Sequence, residues 1–219
     1  MALTIRDTAL DRELFDIWVE GYCTARKFGE LEVVAGGLWL EVAKPQQAGR
    51  YFVSCYDPTV LSTIIEGIIE PAVYVEFPGT KVQALQHMPK GWHVRDDSHL
   101  MSVCLSALIK AEQNDLVGCE YAINRSNGVT KIEARTTSGR LAAAGCFSIV
   151  GEWAVFDQIL VEPEYRRNGL GSSLVRQLAI EAVYAGSVYA VLVATDEGRT
   201  LYNRLGWTCV STIISIISS

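Results

Sequence analysis

The sequence predicts an α/β protein built on a mixed, mostly antiparallel sheet with flanking helices. Three observations carry that prediction. Residues 38–105 read strand, helix, strand, helix, strand by the spacing of their apolar positions. From Tyr121 to Val161, strand-like runs follow one another across tight turns, the pattern of antiparallel hairpins. An amphipathic helix beginning at Leu170 then lies between two apolar strands, Ala154–Val161 and Val188–Ala194. Setting those two strands side by side requires parallel pairing and a right-handed crossover.

The elements follow in order. Ala9 to Arg26 carries Leu10, Leu14, Phe15, Trp18 and Val19 at helical spacing. Leu38–Val42 reads as a strand, broken by Pro45 to Ala48, and strand character resumes at Tyr51–Cys55. Asp57-Pro58-Thr59 opens a helix to about Ile69, with Asp57 as N-cap and Pro58 in the first position. Val73–Phe77 is a strand closed by Pro78-Gly79, Thr80–Met88 a short helix, and Trp92–Val94 and His99–Leu105 extend the sheet. Tyr121–Asn124 and Thr130–Thr136 flank Asn127-Gly128, a strong hairpin turn. Leu141–Val150 and Trp153–Val161 follow across Gly151-Glu152. The next helix places Leu170, Leu174, Val175, Leu178, Ala179, Ala182 and Val183 on one face and ends at Gly186. The β-branched run Ser211–Ile217 reads as a final strand, able to pair across a homodimer.

Composition narrows the class. With 219 residues, 49% hydrophobic and 20% charged, the chain has core material for one large or two small domains. A net charge of −6 argues against a nucleic-acid binder and leans toward an amine partner. Cys23, Cys55, Cys104, Cys119, Cys146 and Cys209 are scattered without C-x-x-C, which reads as a reduced, cytoplasmic protein. They form no zinc spacing with His87, His93 or His99, so no metal is expected. The acidic N-terminus (Asp7, Asp11, Glu13, Asp16) is unlike a signal peptide, and the most apolar stretch, Val60–Val75, is interrupted by Glu66, Glu70 and Pro71. No membrane partner is expected.

The run Arg166-Arg167-Asn168-Gly169-Leu170-Gly171 lies where a strand hands over to a helix. Glycines there let backbone N–H groups approach a ligand, and the helix N-terminus adds unpaired donors and a favourable dipole. That is an anion cradle suited to a pyrophosphate. No Lys follows the glycines as a P-loop requires, and Leu174 stands where a dinucleotide fingerprint needs its third glycine. The remaining pattern, [Q/R]-x-x-G-x-[G/A] at Arg166, Gly169 and Gly171, resembles motif A of the GNAT N-acetyltransferase superfamily. After a helix-length gap and a strand, Thr195-Asp196-Glu197-Gly198-Arg199-Thr200-Leu201-Tyr202-Asn203-Arg204-Leu205-Gly206-Trp207 is similar to motif B. Leu201, Tyr202, Gly206 and Trp207 match; Thr195 stands where Asn is usual and Gly198 where Ala is usual.

The resemblance covers roughly residues 120–219 and implies the GNAT acyl-CoA N-acyltransferase fold, with acetyl-CoA as co-substrate. It divides the chain into residues 1–118, an α/β region shaping the acceptor site, and 119–219, the acetyl-CoA-binding catalytic domain. The first region echoes the strand–helix–strand order of the second without its glycine loop. It is either a degenerate copy or an unrelated extension. By the resemblance, two sheet strands splay and the pantetheine arm pairs with backbone at Ile159, Leu160 and Val161. The pyrophosphate rests on Arg167, Asn168, Gly169, Leu170, Gly171 and Ser172, with Arg166 and Arg167 adding charge and Thr195 near the cofactor arm. The apolar side chains at 159–161 are equally what a buried strand needs.

Acetyl transfer to an amine requires loss of the ammonium proton, support for the oxyanion, and protonation of the departing thiolate. Tyr202 matches the family's tyrosine general acid; the alternative is a helix tyrosine that only packs. Asp157, two residues before Ile159, is expected on the same sheet face as Ile159. It either binds the substrate ammonium and relays its proton, or makes a structural hydrogen bond. The resulting expectation is direct transfer from acetyl-CoA to a small-molecule or peptide primary amine in a ternary complex. The alternative is a catalytically silent acyl-CoA sensor. Trp39, Tyr74, Trp92 and His93 are candidates to line the acceptor pocket, although aromatics in strands more often form core.

Overall fold

The computed structural model describes residues 8–44, 46–95, 97–109 and 119–219. Helix α1 spans Thr8–Arg26. It is followed by strands β1 (Glu32–Val34), β2 (Gly37–Lys44) and β3 (Gln47–Phe52), helix α2 (Pro58–Gly67) and strand β4 (Val73–Pro78). Helix α3 (Lys81–His87), strands β5 (Trp92–Val94) and β6 (Ser98–Cys104) and the short α4 (Leu105–Ile109) complete the first part. Strands β7 (Cys119–Ser126), β8 (Val129–Thr136), β9 (Leu141–Val150) and β10 (Trp153–Val161) form the hairpin series. Then come α5 (Leu170–Tyr184), β11 (Tyr189–Thr195), α6 (Asp196–Arg204) and β12 (Thr208–Ser218). Each predicted element is present; β1 and α4 are additional, and both are too short to show a period.

All twelve strands belong to one sheet, in the order β1-β2-β3-β4-β12-β6-β11-β10-β9-β8-β7, with β5 also paired to β12. Strand β6 lies between β11 and β12 and is antiparallel to both. Strand β12 continues past β6 to pair with β4 and β5. Residues 213–217 of β12 pair with β4, 208–213 with β6 and 216–218 with β5, so most of this strand is paired within the chain. Two pairs are parallel: β3–β4 across α2, and β10–β11 across α5. The same strand–helix–strand unit occurs once in each half.

Apolar faces divide the interior. Ala154, Phe156, Leu174, Leu178, Tyr202 and Trp207 pack on the α5 and α6 side of the sheet. Val155, Val191, Leu14, Phe15 and Trp18 pack on the α1 side. A third cluster gathers α2 and α3 against β4 and β12.

Helix α1 approaches β10 closely through Gly21. A Cβ there would lie 2.2 Å from Val155 Cγ2 and 2.9 Å from Ser148 Oγ. Ser148 Oγ donates to the Gly21 carbonyl at 2.8 Å. Gly21→Ala must push the helix off the sheet, so we expect a loss of about 2 kcal/mol, read as a melting temperature lower by roughly 4–8 °C. An unchanged melting curve would show that the helix seats elsewhere.

Candidate functional site

Strands β10 and β11 pair only at Trp153–Tyr189, Ala154–Ala190 and Val155–Val191. Beyond Val155 they part, and β10 runs on to Val161 held only by β9. The Glu162 N–H donates to Ala142 O at 2.9 Å. Alternation along the strand then turns the Val161 and Ile159 amides to the open edge and the Leu160 amide toward β9. The side chains of Ile159 and Val161 pack into the α5-side core.

The register slips between Asp157 and Leu160, and Gln158 adopts a positive φ of 54°. This β-bulge cancels the alternation assumed from sequence. Asp157 and Gln158 both reach α1, where Gln158 Nε2 donates to Ala25 O at 3.1 Å. Ile159 returns to the α5 face, where it meets Gly145 and the leucines of α5. The expectation that Asp157 and Ile159 share a face is therefore corrected: the extra residue puts them on opposite faces.

At the end of β10, Pro163–Tyr165 makes one 3₁₀ turn and the chain enters the glycine loop. Arg167 (φ 63°) and Gly169 (φ 79°) are both left-handed. Such reversals turn successive N–H groups to one side. The first α5 amide with an acceptor is Ser173, which donates to Gly169 O. Among the described residues, the amides of Arg167, Asn168, Gly169, Leu170, Gly171 and Ser172 have no backbone partner outside regular structure, and 170–172 are too early in α5 to bond within it. Arg166 Nε donates to Val161 O at 3.0 Å, which ties the loop to β10. The Tyr121 and Ser173 hydroxyls meet at 2.7 Å and fix the first turn of α5. Gly171 has a packing role, since a Cβ there would sit 3.3 Å from Leu201.

The corresponding place in the first half is closed. Strands β3 and β4 pair to the end of β3, and the Val53 N–H then donates to Glu76 O. At the N-terminus of α2 the Asp57 carboxylate accepts from the Thr59 and Val60 amides, and Pro58 has no N–H to offer. The first-turn donors that a phosphate would need are already used, by a negative charge.

Tyr202 lies on the α6 side of the parted strands, its ring 5.5 Å from that of Trp207. Burial, with a smaller contribution from Asp157, holds its phenol well above the ordinary 10. Asp157 also acts on Tyr22, on the opposite face of the sheet, whose phenol is raised chiefly by burial. Asp157 lies two residues beyond the last β10–β11 pair, where β10 is held only by β9. Both its oxygens are engaged: Arg26 Nε donates to Oδ2 at 2.7 Å and Arg26 Nη2 to Oδ1 at 3.0 Å. Of the two roles open to Asp157 from sequence, the structure supplies the partner for the structural one.

Thr195 Oγ1 accepts from the Gly198 amide at 3.2 Å and caps α6. The pocket candidates disperse. Trp39 packs on Tyr51, Trp92 is buried in the third cluster, Tyr74 lies beneath Arg50, and His93 contacts Ser219. Sequence reading passed over Tyr22, Arg26 and the buried His99, whose Nε2 pairs with Asp196 at 2.7 Å. Arg26 and Asp157 are 131 positions apart, and no local pattern links them.

Residues 129–209 match the model of the acetyltransferase (GNAT) domain family. This segment is a GNAT domain. The whole chain is similar in fold to a GCN5-related N-acetyltransferase from Kribbella flavida (TM-score 0.72, 16% identity, covering 99% of this chain and 96% of that one). It is also similar to a GCN5-related N-acetyltransferase-like protein from Streptococcus suis (TM-score 0.61, 11% identity, 97% and 98% covered). A third likeness is to a tandem GNAT protein from the clavulanic acid biosynthesis pathway (TM-score 0.59, 11% identity, 100% and 96% covered). No protein of curated function matches the sequence. In the GNAT domain, the glycine loop and the parted strands are the elements at which the sequence motifs fall. Among the described residues, no group of three or more His, Cys, Asp or Glu side chains could hold a metal, and no helix is long and apolar enough to cross a membrane.

Burial also governs the thiols near the site. Cys23 and Cys146 are pushed up from 9.0 to about 11, mainly by desolvation. A pKa raised on folding contributes stability that is full below the unfolded value and is lost as pH rises through the folded one. Melts between pH 8 and 11 are expected to show stability falling from about pH 9, on the order of 2 kcal/mol per thiol. Flat stability to pH 11 would contradict this. At pH 8 a thiol reagent should modify Cys55 before either buried thiol.

Proposed function

We propose that the protein is an acetyl-CoA-dependent N-acetyltransferase that passes the acetyl group to a primary amine directly, in a ternary complex. The observation that carries this reading is the parting of β10 from β11 immediately before a helix N-terminus whose amides have no partner among the described residues. An extended amide-bearing arm fits an open strand edge, and a pyrophosphate fits clustered N–H donors. In this reading Ile159 and Val161 offer backbone to the pantetheine arm. Arg167–Ser172 cradle the pyrophosphate, with Arg166 beside them and Thr195 across the gap. A β10 amide is positioned to support the oxyanion. Tyr202, kept neutral by burial, donates toward the departing thiolate. Asp157 serves by holding Arg26, and the ammonium proton leaves to water.

Calorimetric titration with acetyl-CoA, coenzyme A and dephosphorylated adenine nucleotides tests the reading. Micromolar binding that requires the phosphates supports it, and no binding by folded protein sinks it.

A silent acyl-CoA sensor is favoured by one observation: the acid nearest the gap is fully engaged by Arg26 and offers no free base. Turnover of any amine by the wild-type protein decides between the two.

A further inference from the structure

We infer that the acceptor is an amine that also carries a carboxylate, and that Arg26 and Tyr22 recognise this carboxylate. The inference rests on the acetyl transfer proposed above and names the substrate class of that site. The net charge of −6 points to a cationic acceptor, but the local surface is different.

Beside the gap, the Arg26 side chain is 40% exposed, against 13% for Asp157. An arriving acceptor therefore meets the guanidinium before the carboxylate. Arg26 Nε and Nη2 are committed to Asp157, and Nη1 bonds to no described residue. The guanidinium lies 4.7 Å over the Tyr22 ring. Tyr22 makes ring contacts on every side, yet its hydroxyl has no hydrogen-bond partner among the described residues.

The charged groups facing the Tyr22 phenol are Arg50, Arg26, Glu76 and Asp157. Each acid is already paired, Glu76 to Arg50 at 2.9 Å and Asp157 to Arg26. Glu76 Oε2 has no partner among the described residues but is shut away from solvent. The donors left for a newcomer are the three N–H groups of Arg26 not aimed at Asp157, two on Nη1 and one on Nη2, and beside them the phenol O–H of Tyr22, a residue itself 5% exposed. Two adjacent donors suit the two oxygens of a carboxylate. A polyamine would face the exposed Arg26 cation with only the phenol oxygen and an already paired carboxylate as acceptors, and a phosphate dianion would find too little countercharge.

The test measures thiol release by the full-length protein with acetyl-CoA and three acceptor sets: free amino acids, their carboxamides, and spermidine. We expect kcat/KM for the acids to exceed that for the amides by roughly 10- to 100-fold, the range of a charge-assisted pair. Tyr22→Phe removes only the hydroxyl, and Arg26→Lys keeps a cation beside Asp157, so both variants preserve the local charge balance. Each should shrink the ratio mainly through KM, with the Kd for acetyl-CoA changed by less than about twofold. Amides or spermidine used as well as the acids, or a ratio unchanged in both variants, would overturn the inference and leave acetyl transfer standing. Acetyl-CoA binding with none of the three sets acetylated would also overturn it. Absence of acetyl-CoA binding by the wild-type protein is a separate readout, and it removes the acetyl-transfer reading and this inference together.

Discussion

Gly169→Glu is expected to weaken acetyl-CoA binding at least 100-fold, read by calorimetry on a variant that still folds. Two effects act together. Gly169 sits at φ 79°, where an L side chain is strained by about 1–2 kcal/mol. A Cβ there meets nothing within 4 Å, so the side chain has room and folding is not blocked sterically. The new carboxylate would then stand at the N-terminus of α5, among the unpaired amides. It would take those donors and repel a pyrophosphate, as Asp57 does at the head of α2. Gly169→Ala separates the terms, because it brings the strain without the charge. Its affinity should fall about tenfold at most. If Gly169→Glu binds as tightly as wild type, the loop does not hold the phosphates and the cradle must be sought elsewhere.

Tyr202→Phe is expected to lower kcat by roughly 100-fold while the Kd for acetyl-CoA changes less than about twofold. The hydroxyl bonds to no described residue, so its removal leaves no partner unsatisfied, and the ring keeps its packing on Trp207. The pH dependence sharpens the test. Because burial raises the phenol above its ordinary value, Tyr202 stays protonated throughout the neutral range. A general acid is lost only when it deprotonates, so any alkaline limb due to Tyr202 lies above about pH 10. A limb between pH 7 and 9 must belong to the amine or another group, and it should survive in the phenylalanine variant. Full turnover by Tyr202→Phe would reduce the tyrosine to a packing residue. Absence of turnover in both forms, with acetyl-CoA bound, would favour the sensor.

The two halves show how one strand–helix–strand unit gains or loses a site. In the second half, three paired positions are followed by a gap, and the helix begins on a left-handed glycine. In the first, the strands stay paired to the end of β3 and the helix begins on Asp-Pro. The sequence already held that contrast in Gly169 and Gly171 against Asp57 and Pro58, because capping chemistry is local. The closed pairing of β3 with β4 was not legible, since strand spacing depends on which neighbours fill the sheet.

The sequence by itself determined the order and type of the elements other than β1 and α4, the glycine loop at the head of α5 and the place of Tyr202 on α6. Each of these is written within a few residues, in apolar period, turn chemistry or a short motif. Only the tertiary structure decided the rest. The bulge at Gln158 turned Asp157 away from Ile159, because one extra residue inverts every face after it. The insertion of β6 between β11 and β12 joined the two halves into one sheet. The docking of α1 on β10 brought Arg26, which lies over the Tyr22 ring, to Asp157. These contacts join residues far apart in the chain. They depend on which surfaces pack together, and no local pattern records that.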